Sequence, residues 1–309
     1  MIKNIQKKGK RKQKKKIERH PVAYEPPKTP DFQAYLKLLQ LSNTSTHVLI
    51  VLDVRNPLSC RYMPYEEPIS DKMMFVLNKI DLVPREISLA WYKALSSVAP
   101  TFAICATQSV DPIVKYLKDN ASSETPMKVL ITGISKSGKK TIFDKIEAIP
   151  NVEIQKSDSW TWFNPTPDLV SLGACELSSI NNNLVTNAKD FLCRCSIHSL
   201  MEIFKVTFFS DVSFVLSSID YNKRTAALEF LRGLVLRKYP YYTLPPAFFV
   251  SDTFEGVKDS QKEMFKYSPV NDAFPEPFII LGYGTQNSLK PSILQICQNT
   301  LKEKKEKET

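Results

Sequence analysis

Paired cysteines are the first thing this sequence lacks. Its 309 residues include six cysteines, yet none form Cys-x-x-Cys and their spacing matches no disulfide framework. That argues for a reducing compartment. Cys193 and Cys195 with His198 come nearest to a metal-ligand set, but a fourth ligand is missing nearby and no metal site is expected. His20 and His47 stand alone. No apolar run approaches a bilayer span, the run VLIVLDV from Val48 being strand-sized, so no membrane partner is expected. The basic first residues are not followed by an apolar stretch, which is not the pattern of a secretory signal. No internal repeat is visible.

Acidic residues are scarce at the start. The first twenty positions hold ten Lys or Arg, among them Lys7, Lys8, Lys10, Arg11, Lys12, Lys14, Lys15 and Lys16, against Glu18 alone. Since the whole chain carries a formal charge of +10, the body that follows is nearly neutral. A terminal cationic arm of this density binds nucleic-acid phosphates by counterion release, without reading sequence, and fits a nuclear or nucleolar address.

The organisation follows from composition. The arm (1–20) leads into a proline-rich spacer, 21–30, which should be extended. Asp31 reads as the N-cap of a helix carrying Phe32, Tyr35, Leu36 and Leu39 on one face. Strand-like runs HVLIVLD, KMMFVLN, TFAICA, MKVLIT and VEIQ, the last with SWTWF, then alternate with helical segments at 85–98, 111–119 and 139–148. Such alternation builds an α/β fold, a doubly wound and mostly parallel sheet, with ligands beyond the carboxyl ends of its strands. Helices are expected at 187–205, 211–219 and 222–238, before KYPYYTLPP breaks the pattern. The expected divisions are a nucleotide-binding domain over 31–178, a small helical domain over 179–250 and an extension over 251–309. The closing LKEKKEKET reads as a solvated helix end.

Two motifs carry the chemistry. MKVLITGISKSGKKTIF orders strand, glycine loop and helix as a phosphate-binding loop requires, with Gly133, Gly138 and Lys139 in register. The N–H groups along Ser135, Lys136, Ser137 and Gly138 and at the helix start would make an anion cradle, and Lys139 would reach the β- and γ-phosphates. MMFVLNKIDLVP sets Asn78, Lys79 and Asp81 at a strand end in the N-K-x-D pattern that reads guanine. A carboxylate at 81 accepts from the N1–H and the exocyclic amine, a donor pair that adenine does not offer. Lys79 would lie over the base and Asn78 would tie the two loops together. Ala106 and Thr107, in ICATQS, would offer N–H groups to the guanine oxygen.

Guanine recognition precedes the phosphate loop, the reverse of the usual GTPase order. The chain thereby resembles the circularly permuted GTPases, in detail the nucleostemin and nucleolar GTP-binding branch. VLDVRNPLSCR looks like that family's V-L-D-A-R-D-P-x-G-C-R, with Asp53, Arg55, Pro57 and Arg61 matching. LEFLRGLVLRKYPYYTLPP is similar to the family's last helices, which end in Y-Y-x-x-P-P. The resemblance runs from about residue 31 to 250. It implies GTP or GDP as ligand and a monomer in the nucleolus or nucleus. Its implied partner is the pre-ribosomal particle, both rRNA and proteins, in large-subunit assembly. It also implies switch elements set against the helical domain.

Three departures bear on hydrolysis. Lys140 stands where a Ser or Thr should ligate Mg²⁺, and Thr141, one position on, points about 100° away from that position on a helix; both are still expected among the phosphate-binding residues. The family's D-T-P-G aligns with Pro165 to Asp168, which loses the Mg²⁺-side aspartate and sets a carboxylate where a glycine should meet the γ-phosphate. The first-switch threonine has no clear counterpart, Thr161 lying in an expected strand. The expectation is nucleotide binding with weak or absent hydrolysis and doubtful Mg²⁺. The alternatives are a nucleotide-independent RNA- and protein-binding scaffold of pre-ribosomes and a turning-over GTPase activated on the ribosome.

Overall fold

The computed structural model describes residues 30–122, 124–160, 166–207, 209, 211–245, 253–270, 272 and 278–282. The basic arm, most of the spacer and the LKEKKEKET end fall outside them, as do Thr161 and Pro165.

The first helix, α1 (Pro30–Thr44), begins one residue before Asp31, which therefore lies in the first turn and not at the cap. Proline suits that opening position because its missing N–H would be unsatisfied there anyway. Strand β1 (His47–Asp53) follows, with every residue from Val48 onward buried. It is flanked by β2 (Met73–Asn78) on one side and β4 (Met127–Gly133) on the other, both parallel to it. The outer strands β3 (Thr101–Ile104) and β5 (Val152–Lys156) complete a five-stranded sheet in the order β3-β2-β1-β4-β5, parallel throughout. Burial on both faces explains why the inner strands read as continuous apolar runs rather than alternating ones. The connections are α2 (Met63–Glu66), α3 (Arg85–Ser96), α4 (Asp111–Asn120) and α5 (Lys139–Ile146).

The chain steps outward from β1 to β2 to β3, then returns to lay β4 on the other side of β1. The carboxyl ends of β1 and β4 are thus the topological switch point, the place where such sheets bind ligands.

Beyond the sheet lie α6 (Pro167–Ser171), α7 (Leu184–Leu192), α8 (Ile197–Phe204), α9 (Val212–Ile219) and α10 (Lys223–Val235). The single helix expected over 187–205 is two. It breaks at residues 193–196, where Cys195 bridges Leu281 and the Ser196 N–H donates to the Ile280 carbonyl. A bond to a strand elsewhere has outcompeted continuation of the helix. At the centre of the group is α10, whose Phe230 ring meets Phe191 edge-on at 5.8 Å. The YYT of KYPYYTLPP forms β6 (Tyr241–Thr243), paired in parallel with β7 (Ile279–Leu281), a pairing unforeseen in the sequence.

The segment after residue 252 returns to the large sheet. Helix α11 (Asp259–Lys262) carries buried Gln261, whose Oε1 accepts from the Ala103 N–H at the edge strand. Ser268 Oγ donates to the Ile80 carbonyl at 2.7 Å and pairs with Ser88 Oγ. The extension is a strap behind the loop that follows β2.

Candidate functional site

The phosphate loop takes the shape its glycines permit. Gly133 (φ +139°) and Gly138 (φ +107°) both have positive φ. A Cβ on Gly133 would come within 2.6 Å of the Val51 carbonyl, and one on Gly138 within 2.1 Å of Asn78 Nδ2. Neither position admits a side chain, so the register that leaves Lys140 at the hydroxyl position is fixed by packing. Among the described residues, the N–H groups of Ser135, Lys136, Ser137 and Gly138 donate no hydrogen bond. With the open first turn of α5, they form a concavity of free donors suited to an anion. Ser137 Oγ closes the loop from within by donating to the Ile134 carbonyl.

Asn78 is buried at the end of β2 and joins three segments. Its Nδ2 donates to the Ser137 carbonyl at 2.8 Å, and its Oδ1 accepts from the Ala106 N–H at 3.0 Å. The N-K-x-D loop, the ICATQS loop and the phosphate loop are thus held on one side of the sheet. Ala106 spends its N–H on Asn78, which corrects its assignment to the guanine oxygen and leaves exposed Thr107 to that role. Lys79 takes a left-handed backbone (φ +66°), which lets its Nζ reach both Asp53 Oδ2 at 2.7 Å and the Lys136 carbonyl at 2.6 Å. The Asp81 carboxylate is exposed, touched only by the Cys105 thiol at 3.1 Å among the described residues.

Behind Lys79 lies a buried ion cluster. Asp53 accepts from Arg55 Nε and Nη2 and from Lys79 Nζ. Burial alone would raise its pKa, but the two cations outweigh that and hold the carboxyl well below its usual range. Arg55 sits over the Tyr241 ring, and its carbonyl accepts from Thr243, so the cluster ties β1 to β6.

The open side of the loop is a cavity of about 630 Å³. Its lining carries Arg55, Lys79, Lys136, Lys139, Lys140, Lys156 and Arg237, with Asp158 as the one acid among the described residues. Lys139 turns inward to the Gly133 and Ile134 carbonyls and to Ser159 Oγ. Burial, reinforced by nearby Lys156, draws its pKa down to about 8. Thr141 lines the cavity together with Lys140.

Asp168 differs from expectation too. It lies in α6, whose N-cap Thr166 accepts from the Leu169 N–H, and it is paired with Arg194 at 2.7 Å. Its charge is neutralised toward the helical group instead of facing the phosphate cavity. Gly173 does line the cavity with φ +74°, but its N–H is spent on the Val170 carbonyl and cannot sense a γ-phosphate.

The donor set suits a guanosine phosphate: free amides, a surplus of cations and an open carboxylate at the base end. It suits Mg²⁺ less well, because a lysine replaces the hydroxyl and, among the described residues, a single carboxylate lines the cavity. No group of three His, Cys, Asp or Glu side chains among the described residues could hold a metal. Sequence reasoning missed Lys156, Asp158, Ser159 and Arg237. Only the SDS triplet after β5, beside the phosphate-loop strand, hinted at Asp158 and Ser159.

Sheet order, loop positions and motif order together resemble those of a P-loop GTPase fold whose chain is circularly permuted. No protein-family model matches the sequence. The chain is 24% identical to guanine nucleotide-binding protein-like 3-like protein from Bos taurus over 329 residues, 84% of this chain and 56% of that one. It is 32% identical to nucleolar GTP-binding protein 2 of Saccharomyces cerevisiae over 123 residues, 36% of this chain and 25% of that protein. Among solved structures, GNP-bound YlqF from T. maritima matches 67% of this chain and 94% of its own, at 15% identity and a TM-score of 0.48. The chain spans about half the length of the curated relatives it matches over most of its own length. The resemblance to the nucleolar GTP-binding branch, read from the motifs, is borne out by these relatives, and the name of the yeast protein agrees with the nucleolar address expected of the chain.

Proposed function

We propose that this chain is a guanine-nucleotide-binding nucleolar factor that assists assembly of the large ribosomal subunit, with GTP hydrolysis weak or lost. One observation carries the nucleotide reading. Asn78 ties the guanine-reading loop to an amide cradle whose N–H donors are unspent. The base end selects guanine through Asp81, and the phosphates meet backbone donors and lysines. Lys139 and Lys140 supply positive charge where a metal would otherwise neutralise the β-phosphate, so binding tolerates loss of Mg²⁺. Hydrolysis needs a positioned water, metal and γ-phosphate sensor; among the described residues facing this cavity, Lys140 takes the metal-ligand position and the Gly173 N–H is spent on Val170. The pre-ribosomal partner, rRNA and proteins, rests on the resemblance, on the relatives' nucleolar names and on the basic arm at 1–20.

The test is a titration of fluorescent GDP, GTP and ATP with Mg²⁺ and with EDTA. Guanine nucleotides are expected to bind in both conditions, ATP far more weakly, and purified protein should show no multiple turnover. Complete loss of binding in EDTA would contradict the metal-poor site. Failure of every nucleotide to bind would favour the scaffold reading, and multiple turnover would favour the active GTPase.

A further inference from the structure

We propose that Arg237, from the helical part of the chain, is a direct ligand of the nucleotide, its guanidinium taking the phosphate next to the ribose. This rests on the guanine-nucleotide reading above. Arg237 stands at the turn that ends α10. Its N–H donates to the Leu234 carbonyl at 3.1 Å, and the Lys238 N–H donates to the Gly233 carbonyl at 2.8 Å. Those paired bonds are a Schellman ending, which puts position 237 in the left-handed region, φ +59°. Glycine is the usual occupant there, and arginine carries a steric penalty that glycine would spare. The turn is also firmly seated. A Cβ on Gly233 would fall 2.5 Å from the Tyr239 ring, so that ring packs directly on the helix backbone and fixes the direction in which the chain leaves.

Strain of this kind points to function when it clusters, and here it does. Five non-glycine residues among those described have positive φ, and three of them, Lys79, Lys136 and Arg237, are cations lining the one phosphate cavity. Arg55, Arg61 and Arg194 are each paired with a carboxylate. Arg237 is exposed, with no ion pair or side-chain hydrogen bond among the described residues. It also lines a second cavity, of about 270 Å³, that contains Asp81 and Tyr241. Of the two residues shared by both cavities, Arg55 is committed to Asp53 and Arg237 is not. A nucleotide with its base on Asp81 and its terminal phosphates in the cradle must pass its ribose and first phosphate between these cavities. The phosphate is the anion there that a planar, permanently charged guanidinium can grip. Nucleotide binding would then tie α10 to the sheet, so that occupancy is reported to the helical group.

The test compares Arg237→Ala, Arg237→Lys and Asp81→Asn with the parent chain, measuring GDP and guanosine by displacement of fluorescent GDP. Arg237→Ala should weaken GDP about 10- to 100-fold, the range of a lost hydrogen bond to a charged group. It should leave guanosine unchanged, and Arg237→Lys should recover part of the loss. GDP should slow amide exchange across residues 223–239 in the parent chain but not in Arg237→Ala. If Arg237→Ala binds GDP as the parent does while Asp81→Asn loses it, the proposal fails and the nucleotide reading stands. Equal loss for guanosine and GDP would overturn the phosphate assignment. If the parent chain binds neither, the nucleotide reading itself fails and takes Arg237 with it.

Discussion

Replacing Asn78 with alanine tests the junction on which the site depends. Both polar atoms of this buried side chain are engaged, Nδ2 with the Ser137 carbonyl and Oδ1 with the Ala106 N–H. Alanine strands both partners beneath the loops. A buried polar group left unpaired costs about 1–3 kcal/mol. Two such groups, partly relieved by water entering from the cavity, should cost about 2–5 kcal/mol, a large share of the roughly 5–15 kcal/mol typical of a folded domain. Buried Trp91 and Trp160 give a fluorescence signal for urea denaturation. The same change frees the guanine and phosphate loops from each other, so GDP affinity should fall at least tenfold. Asn78→Asp should do no better, because it sets a carboxylate against the Ser137 carbonyl. A stability change below about 0.5 kcal/mol, the level of an ordinary surface substitution, together with unaltered GDP affinity, would refute the reasoning.

Other outcomes follow from the same geometry. Lys139 is drawn down to about 8 when the site is free, and a bound phosphate favours its charged form. Affinity for GDP should therefore be full below that pH and decline above it, by at most about tenfold per pH unit; calorimetric titrations spanning neutral to alkaline pH would show a flat profile if Lys139 does not face the phosphates. Asp53 is held below its ordinary pKa by Arg55 and Lys79, so its contribution to stability should be present above the unfolded carboxylate pKa of about 3.9 and fade as acid takes the pH below it. Asp53→Asn should flatten the acid limb of the melting-temperature profile. Ser268→Ala removes the donor to the Ile80 carbonyl and should cost about 1–3 kcal/mol while narrowing the preference for guanine over adenine; unchanged selectivity and thermal stability would show that the strap does not steady the guanine loop.

The sheet was legible because parallel strands buried on both faces leave unbroken apolar runs such as HVLIVLD and MMFVLN. Their loops were legible because phosphate and guanine binding each demand rare residues at fixed spacing. What the sequence hid were effects of distant pairing. The break at residues 193–196 is set by bonds to β7, some eighty residues on, and no local signal marks it. The Ala106 N–H was assigned to the base because its competitor, Asn78 Oδ1, lies 28 positions away. Asp168 read as a repulsive charge because Arg194, its partner, stands 26 positions away in the turn between α7 and α8. Arg237 was invisible for a related reason. It looks like any charged residue after a helix until its left-handed backbone and the cavity beside it are seen together.

The most direct measurement is a structure of the chain with GDP bound. The account predicts the guanine edge on the Asp81 carboxylate, the β-phosphate among the N–H groups of residues 135–139, and both on one nucleotide. Phosphates in the cradle with the base turned away from Asp81, or a nucleotide at some other face of the sheet, would contradict it.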